Sequence, residues 1–332
     1  VLMSEKRRGE VRKKIWKNTE ETGFRFSPDG ILHCEEPAVS FFEENPKNLL
    51  AALKIAAKSG AVLREDVERA VFQCFHNIVR LSGKDVLDEL SPLICGACAD
   101  SILDRYRDVF ACVIPELAPM FDLDQHSPYH NRDVWHHTLA GVADIPPVFE
   151  LRMTMLLHDI AKPVVFLLDD NGRGRFVGHP EKGAEMAYRI LCRMEVPKDK
   201  IEKIVRLVRY HDVKIRPETE DVRKVLAVFG REGFEELLLV RHADASGKYS
   251  RYLSEAEDKN AWLRACAERI VESGDYFSPK RLKIGLRELS ETGISDELDL
   301  WRIRDRLLAA AAGGELENEK SALLRAAKES KK

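Results

Sequence analysis

The chain has 332 residues, 44% of them hydrophobic and 33% charged, and its 53 basic and 56 acidic residues leave a formal net charge of −3. That apolar content supports packed cores and excludes a disordered polyelectrolyte, and the balanced charge gives no global pull toward nucleic acid. No apolar run approaches the ~18–20 residues of a membrane span, no signal peptide opens the sequence, and seven irregularly spaced cysteines suit a reducing compartment, so a cytoplasmic address is expected.

Residues 1–26 form a basic extension in which Lys6, Arg7, Arg8, Arg12, Lys13, Lys14 and Lys17 accompany Trp16. It reads equally as a frayed amphipathic helix or as an arm for an RNA backbone. Beyond it the periodicity is helical almost throughout. Residues 63–82 place Val67, Ala70, Val71, Cys74, Phe75, Ile78 and Val79 at steps of three and four, the stripe of an amphipathic helix. Cys95-Gly96-Ala97-Cys98, a lone C-x-x-C, reads as small residues at a helix contact. Further helices are predicted over 99–111, 133–143, 149–161, 180–194, 199–211, 219–228, 231–243, 252–272, 297–312 and 318–328. Gly60, Gly83, Pro115, Pro119, Pro146-Pro147, Pro197, Pro217 and Gly313-Gly314 punctuate them. His126, Tyr129, His130 and Asn131 fall in a Pro-containing stretch that reads as plain loop. Only residues 164–177 suggest extended structure, where Val164 to Leu168, a turn at Asp170-Asn171-Gly172 and a return through Phe176-Val177 predict a small β-hairpin. The expected fold is all-α, in four segments: the extension 1–26, a multi-helical neck over 27–115, a helical body over 116–274 and a helical tail over 275–332.

The chemistry concentrates in the body, in the order His137, His158-Asp159, His179, His211 and Asp244. Neutral imidazoles and carboxylates together suit divalent cations, and a consecutive His-Asp presents two ligands from one turn, to one ion or to two through a bridging carboxylate. Any one histidine is more often a hydrogen-bonded core or surface residue than a ligand. The ordered set weighs differently, because each member sits in a recognisable phrase.

Those phrases are Val134-Trp135-His136-His137-Thr138, Leu156-Leu157-His158-Asp159-Ile160-Ala161-Lys162, Gly178-His179-Pro180-Glu181, Arg209-Tyr210-His211-Asp212 and Ala243-Asp244. They resemble the HD superfamily of metal-dependent phosphohydrolases, specifically the HD domain carried by bacterial tRNA nucleotidyltransferases, the CCA-adding enzymes. The run Asp159-Ile160-Ala161-Lys162-Pro163 with Asp170-Asn171-Gly172 and Phe176-Val177-Gly178-His179 is similar to the stretch those enzymes share, save for Ala161 where glycine is usual. Gly314-Glu315-Leu316-Glu317-Asn318-Glu319-Lys320 with Ala322-Leu323-Leu324 resembles their ending, so the likeness spans roughly residues 27–327. It implies a first metal site of His137, His158, Asp159 and Asp244, and a second of His179 and His211 with Asp159 bridging. The choice of His137 over His136 rests on the phrase, since spacing alone does not separate them. The cofactor implied is one or two divalent ions of Mn, Ni, Co, Fe or Mg, which would activate water for attack at phosphorus. Asp159 and Lys162 are the expected catalytic residues, the lysine as a compact charge aimed at the phosphate. Asp212 is a candidate to orient His211 or merely to cap a helix, and His242 a candidate to donate to the Asp244 loop.

The likeness weakens toward the N-terminus. A nucleotidyltransferase head needs a Gly-Ser or Gly-Gly phosphate-gripping turn and two carboxylates one residue apart, and nothing ahead of residue 30 supplies them. In the neck, where those enzymes use an aspartate and an arginine to template the base, this chain has Asn45 and Asn48, which offer neither the charge nor the planar fork. The expectation is a headless, metal-dependent phosphohydrolase (phosphodiesterase or phosphatase) acting on a nucleotide or RNA end, with no membrane partner. The alternatives are the C-terminal portion of a CCA-adding nucleotidyltransferase and a tRNA-binding regulatory module. Basic clusters around Arg173 and Arg175, from Lys198 to Lys214 and from Lys280 to Arg287 would serve any of the three, or be solvated helix faces.

Overall fold

A computed structural model describes residues 23–128, 132–216 and 218–329 as a mostly helical chain carrying two small antiparallel strand pairs. The basic run from Lys6 to Lys17 and the loop residues Tyr129, His130 and Asn131 lie outside the described residues. Among those described, no helix is long and apolar enough to cross a membrane.

The strand pair at Phe24–Phe26 and Leu32–Cys34 corrects the expectation that only residues 164–177 would be extended. Ser27-Pro28-Asp29-Gly30 turns the chain, with Gly30 at φ 84° and its N–H donating to Ser27 O at 2.8 Å. Phe24, Leu32 and Cys34 point inward and are buried, the alternation a three-residue strand is too short to advertise. Val62 and Arg64 bond to the backbone of Leu32, which delays the helix predicted over 63–82 until Glu65. That helix runs Glu65–Cys74 and tightens into a 3-10 turn over Phe75–Arg80.

The neck continues with helices Ala38–Glu44, Lys47–Ser59 and Gly83–Ile94. Gly83 stands at a helix boundary, as its type implied. It opens the last of these helices behind a Ser82 cap, and a Cβ there would lie 2.2 Å from Arg193 O, so glycine is needed for neck and body to touch. The C-x-x-C is a contact of small residues: Cys98 N–H donates to Ala57 O at 2.9 Å, and a Cβ on Gly96 would lie 2.6 Å from the Ala57 carbonyl. Helices Ala99–Arg105 and Arg107–Val113 complete this half.

The body is built from helices Val134–Asp144, Phe149–Leu157, His179–Arg193, Lys198–Tyr210, Thr219–Ser246 and Ser250–Glu272. The span Thr219–Ser246 holds the two helices predicted over 219–228 and 231–243, broken at Gly230, whose non-helical φ 71° and ψ 178° only glycine adopts comfortably. The predicted hairpin is present but smaller. Leu167–Leu168 pairs with Gly174–Arg175, whereas Val164 and Val165 belong to a short helix over Lys162–Val165. One hydrophobic core runs from Phe24 to Trp301 through neck and body, and a separate cluster of Ile284, Leu289, Ile294, Ile303, Leu307, Leu323 and Ala327 holds the tail.

Candidate metal centre

Five body helices and the turns at their ends bring the six sequence-predicted residues together. His137 comes from Val134–Asp144, which Asp133 caps by accepting from His136 N–H. His158-Asp159 follows the end of Phe149–Leu157, His179 opens the helix it names, His211 follows Tyr210, and Asp244 lies in the last turns of Thr219–Ser246. His137, His158 and His211 are buried, as is Asp159 at 1% exposure.

Two donor sets share Asp159. Its Oδ2 lies 3.2 Å from His158 Nε2 and 3.5 Å from His137 Nε2, and Asp244 Oδ1 adds a fourth donor 3.0 Å from His137 Nε2. Its Oδ1 lies 3.6 Å from His179 Nε2 and 3.8 Å from His211 Nε2. The tautomers follow from the backbone. His158, His179 and His211 each place Nδ1 at 2.7–2.8 Å from a carbonyl three residues earlier, on Met155, Phe176 and Val208. A carbonyl only accepts, so each Nδ1 carries a proton and, in the neutral ring, each Nε2 presents a lone pair. The Nε2 atoms of His179 and His211 then meet lone pair to lone pair at 3.2 Å, an arrangement that a cation between them and Asp159 relieves. The donors thus fit a divalent ion, or two bridged by Asp159.

The carboxylates and His211 are held in the forms a cation needs, whereas His158 must give up a proton to bind one. Burial opposes charge on Asp159 and Asp244, but His158 and Lys162 for the first and Lys248 for the second outweigh it and hold both carboxyls well below their usual range. Burial likewise opposes a charge on His158, and the Asp159 and Asp244 carboxylates override it, lifting its pKa to about 9. Burial, reinforced by the neighbouring His158, pushes His211 down to about 3.

Lys162 is buried and places Nζ 2.7 Å from Asp159 Oδ2, with the Phe176 ring 5.2 Å away. The two candidate orienting residues do something else. Asp212 is exposed on the rim, and His211 is oriented by the Val208 carbonyl. His242, two residues before Asp244 on the same helix, turns away to Asp144 at 3.5 Å. Sequence reasoning missed Lys248, which pairs with Asp244 Oδ2 at 2.6 Å, a helical i,i+4 spacing that was available as a signal. It also missed Gln125, whose Oε1 accepts from Lys162 Nζ at 2.7 Å and which no local pattern marks. Gly247 is a third omission, because a Cβ there would lie 2.4 Å from His137 Nδ1. A cavity of about 480 Å3 opens onto the cluster, lined by Asp159, His179, His211 and Asp244 and by the cations Lys162, Arg173, Arg175, Lys214 and Lys248.

Residues 134–257 match the family model of the HD domain. Among curated proteins, a CC-adding tRNA nucleotidyltransferase of Thermus thermophilus is 27% identical over 216 residues, 63% of this chain and 48% of that protein. An A-adding tRNA nucleotidyltransferase of Deinococcus radiodurans is 32% identical over 211 residues, 61% of this chain and 48% of that protein. The chain therefore spans about half the length of these curated relatives. Among solved structures, the Bacillus stearothermophilus CCA-adding enzyme in complex with CTP superposes with a TM-score of 0.46 at 16% identity, covering 91% of this chain and 65% of that one.

Proposed function

We propose, from the HD domain at residues 134–257, that this protein is a metal-dependent phosphohydrolase acting on a phosphoester of a nucleotide or RNA end, in the cytoplasm. The observation that carries the reading is Asp159, one carboxylate shared by two donor sets at the floor of a cation-lined cavity. His137, His158, Asp159 and Asp244 would hold one divalent cation, and Asp159, His179 and His211 a second, which would supply Lewis acidity and a water of pKa near ~7. The chain's own side chains do the rest. Lys162 and Lys248 offset charge on the carboxylates, and Arg173, Arg175 and Lys214 on the rim favour a ligand rich in phosphate oxygens.

The test is hydrolysis of 2′,3′-cyclic AMP and of a generic phosphodiester after loading with Ni2+, Mn2+, Co2+ or Mg2+, beside Asp159→Ala. Metal-dependent turnover that vanishes in the variant is the expected result, and no turnover with any of the four ions refutes the reading for these substrates.

A second reading, the body of a tRNA nucleotidyltransferase, draws on the activities named for the Thermus and Deinococcus relatives. Two neck residues favour the first reading. Asn45 Oδ1 accepts from Lys47 N–H at 3.1 Å and Asn48 Nδ2 donates to Phe41 O at 3.2 Å, so both amides are engaged with backbone where a template would face a base. Incorporation of CMP or AMP into tRNA lacking its 3′ end would decide for the second.

A further inference from the structure

The Lys162 ammonium has two acceptors at the same distance: Asp159 Oδ2 and Gln125 Oε1, each at 2.7 Å. Gln125 is 1% exposed, and its own Nε2 donates to Arg132 O at 3.2 Å. An ammonium only donates and a carbonyl only accepts, so these partners fix the amide with its oxygen toward the lysine. The strand pair at the cavity clamps the loop that carries it. Gly174 N–H donates to His126 O at 3.0 Å, a Cβ on Gly174 would lie 2.1 Å from Gln125 O, and the His126 ring stacks 6.0 Å from Phe166.

Asp159 Oδ2 is also the oxygen that faces His137 and His158. An ammonium on that oxygen competes with a cation for it, and whatever draws the ammonium aside favours the cation. The geometry points to Gln125 as a positioning residue that sets the metal affinity of the first donor set by sharing Lys162 with Asp159. This inference rests on the metal reading of the cluster but needs no hydrolysis. Removing the Gln125 acceptor leaves the ammonium wholly on Asp159 and weakens metal binding. Supporting residues around metal ligands are commonly worth 10–100-fold in affinity.

The experiment is calorimetric titration of the full chain with Mn2+, for the unmodified protein, Gln125→Leu, Gln125→Glu, Lys162→Met and the Lys162→Met/Gln125→Leu pair. Gln125→Leu is expected to weaken binding by about tenfold or more. Gln125→Glu, which keeps an acceptor, restores it, and Gln125→Leu costs no more than about twofold once Lys162 is methionine. Equal losses from Gln125→Leu in both backgrounds, or none in either, overturn the inference and leave the metal centre standing. Absence of Mn2+ binding by the unmodified protein overturns both, whereas binding without turnover overturns only the phosphohydrolase.

Discussion

Asp159 has one carboxylate and two tasks, so its loss differs in kind from the loss of a single histidine. Asp159→Ala is expected to weaken binding at both donor sets and to lower turnover by more than about a hundredfold, beyond the range of supporting residues. His179→Ala should reduce metal stoichiometry while sparing the set around His137, and metal analysis of the purified variants separates the two outcomes. Proton competition adds a pH signature. His158 is protonated below about 9 in the cation-free protein, and a ligand must be neutral, so metal uptake near neutrality releases one proton from it. Affinity should rise about tenfold per pH unit as pH climbs toward 9, roughly 100-fold between pH 6.5 and 8.5 in titrations. His211, already neutral at about 3, adds nothing to that slope.

At the scale of elements, the glycines show where backbone geometry outranks composition. Gly230→Ala meets no atom nearer than 3.7 Å, so its cost is conformational, about 1–3 kcal/mol by urea denaturation. Gly247→Ala instead drives a methyl to 2.4 Å from His137 Nδ1, and should weaken metal binding while costing about 1–3 kcal/mol of stability. Both effects explain what the sequence made legible. Long helices with a clean stripe, such as Glu297–Ala312, were predicted to the residue, and the six clustered His and Asp residues were found because each lay in a phrase. The Phe24–Phe26 strand escaped because three residues hold too little alternation to register, and Gly83–Ile94 escaped because its glycine answers to Arg193, 110 positions away. Gln125 left no mark for the same reason: its partner Lys162 is brought to it only by the fold.

At the scale of the molecule, Asp305 joins tail to body. It is 1% exposed and sits between Arg206 Nε at 3.2 Å and Arg304 Nη2 at 2.8 Å. Asp305→Ala removes one of the two carboxylates that Arg206 and Arg304 share, leaving them Glu202, and should cost about 1–3 kcal/mol. Limited proteolysis should then release the tail faster, Trp301 with it, while the rest of the core from Phe24 to Ile270 stays protected. That core has a consequence for descent. With no seam between neck and body, a recombination event near residue 115 would join two faces never selected to fit, and its offspring would lose packing along the whole junction. A chimera that exchanges either part alone is therefore expected to unfold at a lower denaturant concentration than either parent.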